Sequence, residues 1–417
     1  MIRDVTARIL LISVYGFTWL VATLGRLIPR WPWKPTGRIM LTATFHNPNW
    51  YLSHVTPLSR SGVKEVILVV DEPQSPLDGV RFICPPRWLS RLLSRAAAKA
   101  IWMIIAGLRY QPDLYMGYHL GAGPCSALVA GRLLGRPACY QMTGGPVVII
   151  GGGVGAIGSV GGCLRRPSRL IEALAIKVVR QFELVIVRGS KAKEFLSARG
   201  VKGTIAVIPG SVNHCTKILS QNRDIDLIYV GRLSPIKQVH QYIAIVDVVR
   251  RIMPDVRAVI VGDGRLKAGL MAYAEKLGVT RNIAFLGQRK DVEALLARSR
   301  VFVLTSKSEG LSIAMAEAMV AGAVPVVADV GELSDLVIDG VNGYLIQPNN
   351  IDEYASKAMV LLQDDVLWSQ CSYKAIEAAR KHCDIESVSE KWRSHLQDAV
   401  SRASGHRLED VLSCANS

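Results

Sequence analysis

The stretch Val301-Phe-Val-Leu-Thr-Ser-Lys-Ser-Glu-Gly-Leu-Ser-Ile-Ala-Met-Ala-Glu317 decides how this chain is read. Its first five residues form an apolar run with the look of a buried strand. Residues Ala314 to Ala321 favour helix. Glu309 and a glycine turn lie between, so one acid sits at a strand-to-helix turn and Glu317 lies on the helix that follows. Eight helical steps span at most ~12 Å, the scale of a sugar, a diphosphate and a ribose laid end to end. A helix N-terminus offers free N–H groups to a charged middle. Each carboxylate can accept hydrogen bonds from hydroxyls at one end.

The run at 301–305 belongs to a longer rhythm. From Arg38, strand-like segments (Ile39–Phe45, Val66–Val70, Val80–Ile83, Leu114–Tyr118, Ala138–Met142, Leu184–Val187) alternate with helical ones. The pattern restarts at Ile225–Val230 and runs through Ala258–Val261, Ile283–Leu286, Val301–Leu304 and Val324–Val327. Such alternation predicts α/β architecture with doubly wound parallel sheets. A turn-rich junction, Ile208-Pro-Gly-Ser-Val-Asn213, separates the two series. The 417 residues therefore suit two Rossmann-like domains of about 200 residues, with ligands at the carboxyl ends of the strands in a central cleft. The expected division is an apolar N-terminal segment over 1–37, one Rossmann-like domain over 38–210, a second over 211–385, and a C-terminal helix and tail over 386–417.

The net charge of +16 is unevenly placed: residues 1–210 hold 26 Lys+Arg and 9 Asp+Glu, residues 211–417 hold 24 and 25. All the excess lies in the first half, which points to an anionic partner there. Ile9 to Gly25 is uncharged over 17 residues, the short limit for crossing a bilayer, and both its flanks are basic. A span, a monotopic or re-entrant anchor, and a buried first helix are all open. Arg87, Arg91, Arg95 and Lys99 recur every four residues, which predicts a basic amphipathic helix over Leu89–Leu108 that meets an anionic membrane surface. The eight cysteines are scattered singly, as expected of reduced thiols in a cytosolic compartment.

A second motif, Val230-Gly-Arg-Leu-Ser-Pro-Ile-Lys237, follows the first strand of the second series. Gly231 permits a tight turn. Arg232 presents a planar fork suited to phosphate and Lys237 adds a point charge. Together with Glu309-x7-Glu317, Val261-Gly-Asp-Gly264, Ile283–Gly287 and Gly340–Leu345, this motif resembles the retaining glycosyltransferases of family four, which have the two-domain GT-B fold. The likeness is strong over about 226–347 and weaker over 38–225.

That resemblance implies a retaining hexosyltransferase-type enzyme with a nucleotide-diphosphate-sugar as donor substrate, no further cofactor and no metal. Arg232 and Lys237 would hold the diphosphate, Glu309 the transferred sugar and Glu317 the ribose. The backbone of Gly310, Leu311 and Ser312 would line phosphate and sugar, and the base would lie near Gly287-Gln288-Arg289. Catalytic weight falls on Glu309, Arg232 and Lys237, with no covalent role for Glu309. On the acceptor side the chain departs from the family. His46-Asn47-Pro48-Asn49 stands where many members carry Gly-Gly, and Thr143, followed by Gly144, stands at a histidine position. Asn47, Asn49, His119, Thr143 and Gly144 are the candidates there.

Three other motifs are set aside. Gly153–Gly158 fits GxGxxG but has no clear helix after it and no acid about 20 residues on, so it reads as a loop over the cleft. Asp224-Ile-Asp226 opens a strand and is not read as a metal site. No basic-aromatic module for nucleic acid stands out. The function expected is sugar transfer to a lipid-linked or other saccharide acceptor in surface polysaccharide or glycolipid synthesis, at the cytoplasmic side of an inner membrane. The alternatives are a soluble transferase for a small sugar and a catalytically silent nucleotide-sugar-binding protein.

Overall fold

The computed structural model describes residues 2–27, 33–42, 48–72, 74–154, 160–212 and 222–405. The chain divides into two compact units, one of residues 1–210 with 385–417 and one of residues 211–384.

In the first unit, α1 (Ile2–Leu24) and a 3-10 turn (Gly25–Leu27) precede the sheet. The order continues β1 (Arg38–Thr42), α2 (Pro48–His54), α3 (Thr56–Ser59), β2 (Glu65–Val69), β3 (Val80–Ile83), α4 (Arg87–Leu92) and α5 (Arg95–Tyr110). Then come β4 (Leu114–Tyr118), α6 (Ala122–Leu133), β5 (Ala138–Met142), α7 (Arg169–Val179), β6 (Leu184–Val187), α8 (Ser190–Ala198) and β7 (Thr204–Val207). In the second unit the order is β8 (Ile225–Val230), α9 (Val239–Arg250), β9 (Ala258–Val261), α10 (Lys267–Lys276), β10 (Ile283–Gly287), α11 (Val292–Ala297), β11 (Ser299–Leu304) and α12 (Ile313–Val320). It closes with β12 (Val324–Ala328), β13 (Tyr344–Ile346), α13 (Ile351–Gln363) and α14 (Asp365–Cys383). The last helix, α15 (Ile385–Ser404), returns to the first unit. There Val388, Trp392, Leu396 and Val400 pack with Tyr51, Val55 and Leu58.

Both sheets are parallel throughout, ordered β3-β2-β1-β4-β5-β6-β7 and β10-β9-β8-β11-β12-β13. Helices cover the faces, so the central strands are buried on both sides and read as continuous apolar runs. β4, β5, β6 and β12 are buried at every residue. Two strands escaped the sequence reading, β7 and β13. They are edge strands of four and three residues, Thr204-Ile-Ala-Val207 and Tyr344-Leu-Ile346, only partly buried and so not marked by a continuous apolar run.

The basic helix expected over Leu89–Leu108 is not one helix. Leu93 is extended, and Ser94 caps a new helix by accepting a hydrogen bond from the Ala97 amide at 3.2 Å. This breaks the four-residue stripe. Lys99 turns inward, with its ammonium 2.9 Å from the Asp71 carboxylate and only 7% of its side chain exposed. Propensity alone carries no record of this cap, because Ser is an N-cap former only where the chain turns.

Candidate functional site

In a doubly wound sheet, ligands sit at the carboxyl ends of the strands where the strand order reverses. In the second unit that point lies between β8 and β11, which pair in parallel with Val301 opposite Leu227 and Phe302 opposite Ile228. The loops leaving these two strands are Gly231–Gln238 and Thr305–Ser312, the two motifs singled out in the sequence.

The loops are sewn together. The Thr305 hydroxyl lies 3.2 Å from the Lys237 carbonyl and 3.1 Å from that of Gln238. The Lys307 amide donates to the Ile236 carbonyl at 2.8 Å. These bonds bring the Lys237 ammonium to 2.5 Å from Glu309 Oε1, with 17% and 10% of the two side chains exposed. Arg232 lies exposed in the same loop, and its side chain has no partner among the described residues. Its carbonyl accepts a hydrogen bond from the Tyr229 hydroxyl at 3.1 Å. Burial, helped by the Glu309 charge and opposed by Arg232, holds that phenol far above its usual range. A side chain at Gly231 would put its Cβ 2.7 Å from the same hydroxyl.

The turn after Glu309 is held from the opposite side by Gly331, in the loop after β12. Gly331 has φ +56°, and a Cβ there would fall 1.9 Å from the Glu309 carbonyl oxygen. Ser312 caps α12, its hydroxyl accepting from the Met315 amide at 3.4 Å. Met315, Ala316, Ala318 and Met319 anchor that helix in the core. Glu317 shares the helix but accepts no side-chain hydrogen bond from a described residue. Burial raises its pKa to about 7, with the nearby Glu293 carboxylate adding to the shift. The hydroxyls of Ser234 and Ser306, one on each loop, are buried and unpartnered among the described residues. The arrangement thus offers two cations, a run of N–H groups at a helix start, and hydroxyl-accepting carboxylates.

Gly287, Gln288 and Arg289 stand at the end of β10, two strands from β8. Gln288 and Arg289 are exposed, and Arg289 grips Asp291 with two bonds of 2.8 and 2.7 Å. Asp224 is held by Arg298, and Asp226 accepts from the Arg257 amide at 2.7 Å. Both acids lie at the start of β8, the end of the strand away from Gly231.

In the first unit the order reverses between β1 and β4. Asn47 falls outside the described residues, and Asn49 lies in α2. His119, directly after β4, has φ +53°. Its Nδ1 is 2.9 Å from the hydroxyl of Thr143, directly after β5. An imidazole thus stands beside the position 143 side chain, carried by the neighbouring strand end. Gly144 follows Thr143 in the same turn, where a Cβ would stand 2.8 Å from Val148 Cγ1. Behind them lies a buried polar group that the sequence did not announce. Arg188 donates to the Ile208 carbonyl and to Gln141 Oε1, both at 2.7 Å. The Tyr118 hydroxyl donates to the His54 carbonyl at 3.3 Å. Burial, with Arg188 and His119 adding, holds His54 well below the usual histidine range, so it stays neutral.

Thr305, Gly331, Tyr229 and Glu293 were likewise not found from sequence. Each acts through the backbone or through a neighbour distant in the chain, and only the Gly331 residue type hints at its role.

Residues 214–382 match the family described as glycosyl transferases group 1. Among curated relatives, a poly(ribitol-phosphate) alpha-N-acetylglucosaminyltransferase of Staphylococcus aureus is 30% identical over 165 residues, 39% of this chain and 34% of the relative. An Escherichia coli UDP-Gal:alpha-D-GlcNAc-diphosphoundecaprenol alpha-1,3-galactosyltransferase is 33% identical over 141 residues, 33% of this chain and 36% of the relative. The matched stretch spans about a third of each of these relatives. The fold is shared with Anabaena HepE in complex with UDP-glucose (TM-score 0.66, 19% identity, 87% of this chain and 99% of that one). It is shared too with sucrose-phosphate synthase from Thermosynechococcus elongatus (TM-score 0.70, 16% identity, 88% and 99%). The two parallel-sheet units are those of the GT-B fold. The match to glycosyl transferases group 1 thus lies in the second unit, over residues 214–382.

Proposed function

We propose that this protein is a retaining glycosyltransferase that moves a hexose-type sugar from a nucleotide diphosphate to a lipid-linked saccharide acceptor in surface polysaccharide or glycolipid synthesis. The observation that carries the reading is the 2.5 Å contact between Lys237 and Glu309, held across two loops at the strand-order reversal. A donor diphosphate draws Lys237 and Arg232 to itself and frees Glu309 to accept hydroxyls of the sugar. Negative charge grows on the diphosphate as the glycosidic bond breaks. The two cations and the N–H groups at the start of α12 stabilise it, the kind of preorganised electrostatics that dominates many enzymes. Glu317 accepts the ribose hydroxyls. No metal is needed for this division of labour. His119, steadied by Thr143, is the acceptor-side imidazole.

The lipid-linked acceptor is supported by the charge excess of the first unit and by the relative whose name specifies a diphosphoundecaprenol substrate. It is also supported by α1, which buries Ala7, Leu11, Tyr15, Thr18 and Ala22 on one side and exposes Ile9, Phe17, Leu20 and Leu24 on the other. A helix packed along one side and apolar on the other suits a monotopic seat in the cytoplasmic leaflet of the inner membrane.

The test is a thermal-shift screen of UDP-, GDP-, ADP- and dTDP-sugars, since a ligand stabilises by mass action. One of them should raise the melting temperature at millimolar concentration, and NMR of the product should show the anomeric configuration of the donor. No stabilisation by any of them, or an inverted product, would sink the reading.

A further inference from the structure

The membrane-facing helix ends beside a pocket that sugar transfer does not use. It has a volume of about 300 Å³ and is lined by Arg26, Arg180, Gln181, Lys202, Thr204 and Arg402. Thr204 opens β7, and Gln181 to Glu183 lead into β6, so the pocket sits at the amino ends of the strands. His119 and Thr143 follow the carboxyl ends of β4 and β5, at the opposite edge of the same sheet.

Four cations line the pocket, and the acids nearby are largely committed. Glu183 is spent on Arg132, at 2.5 Å, and on the Ala138 amide. Arg132 also donates to the Gln181 carbonyl. Arg402 donates to the Thr204 hydroxyl at 3.1 Å and reaches Asp398 only at 3.5 Å. Arg180 donates to the Arg199 carbonyl, which leaves its charge unbalanced. Arg26 and Lys202 have no partner among the described residues. Gln181 is 8% exposed, and its side-chain oxygen is buried and unpartnered. Amide oxygen and nitrogen exchange places on a flip, which would set an N–H donor there.

What stands beside this pocket indicates its ligand. Arg26 lies in the 3-10 turn that ends α1, next to Leu27, which is 79% exposed. The outer face of α1 carries exposed apolar side chains from Val5 to Leu24, and Leu27 in the turn continues them. At its other end Arg8 pairs with Asp4 at 3.0 Å and reaches the Arg166 carbonyl at 2.9 Å, the Arg165 amide donates to Asp4 at 2.7 Å, and Arg165 and Arg166 are themselves exposed. Cationic residues thus bracket an apolar strip at both ends. A soluble phosphate would use the pocket and leave the strip unexplained. A lipid uses both.

We propose that this pocket takes the phosphate headgroup of an anionic phospholipid whose acyl chains lie against the outer face of α1. The proposal rests on the membrane-surface reading above and adds a defined headgroup site to it.

The test is vesicle co-flotation of the full chain with phosphatidylcholine vesicles, alone or mixed with phosphatidylglycerol. Wild type should bind the mixed vesicles at least tenfold more tightly. Arg26→Glu/Lys202→Glu should weaken that binding roughly thirty-fold, from about 1 kcal/mol per basic residue near an anionic surface. Lys276→Glu/Lys290→Glu changes net charge equally in the second unit and should leave binding within about threefold. If wild type ignores mixed vesicles, the membrane reading falls and the proposal with it. If wild type binds and the Arg26/Lys202 variant binds as well, the headgroup site alone is overturned. Stabilisation by millimolar glycerol phosphate without vesicle binding would assign the pocket to a soluble phosphate and overturn the lipid. Both altered side chains are exposed, so the variant should melt at the wild-type temperature, and a lower one would move the comparison to Arg26→Gln alone.

Discussion

Lys237 and Glu309, 72 residues apart in the chain, meet at 2.5 Å because Thr305 and Lys307 bind the backbone of the Lys237 loop. Each is the other's charge partner, so neither can be removed without exposing the second. Lys237→Ala and Glu309→Gln should each lower kcat by about 10²–10³. Their double mutant should lose much less than the sum, because contacting residues couple. Additive losses in steady-state assays would show that the pair does not act as a unit.

Glu317 gives a pH signature. Its pKa rises from 4.5 to about 7 in the folded protein, so the native state holds a proton that the unfolded chain has lost between those values. Stability therefore falls as pH rises through this window. The upper bound on the effect is about 3 kcal/mol. Glu317→Gln should melt higher than wild type at pH 8, should match it near pH 4, and should bind donor more weakly. Thermal melts across pH 4–8 check this, and parallel curves for the two proteins would refute it.

Gly331→Ala places a methyl 1.9 Å from the Glu309 carbonyl and imposes φ +56° on a residue with a side chain. Strain of this kind costs about 1–3 kcal/mol. Relief must come by shifting the Glu309 turn, so donor affinity should fall along with stability. Alanine at Gly340, also at positive φ but with open space around it, is the control. It should cost stability and spare donor affinity.

His119→Gly separates backbone from imidazole. The left-handed φ of +53° is strained for histidine and easy for glycine. The variant should gain or hold stability while losing transfer to the acceptor, with donor binding intact. An active His119→Gly enzyme would remove the imidazole from the chemistry.

The sequence carried the sheets because buried parallel strands write themselves as apolar runs, as Val301–Leu304 does. It singled out Arg232, Lys237, Glu309 and Glu317 as candidates because their spacing around Gly231 and Gly310 is local. What it could not carry was set by contact across the fold. Nothing near Thr143 in the chain reveals that His119 reaches it from the adjacent strand. Lys99 reads as one of four cations on a membrane-facing stripe, but Ser94 starts a new helix there and Lys99 turns towards Asp71. Gly331, a helix and a strand after Glu309 in the chain, hints by its residue type at a turn but not that it clasps that residue's backbone.

The return of α15 to the first unit has a consequence for biosynthesis. Trp392, 1% exposed, completes a core whose other members were translated hundreds of residues earlier, such as Tyr51 and Leu58. Domains emerge and fold from the amino end as synthesis proceeds, yet here the amino-terminal unit lacks α15 until the ribosome has passed the whole second unit. The unit over 211–384 has all its residues first. A nascent chain stalled before residue 385 should therefore hold a finished second unit behind a first unit whose apolar seat for Trp392 is still open, a natural target for chaperones.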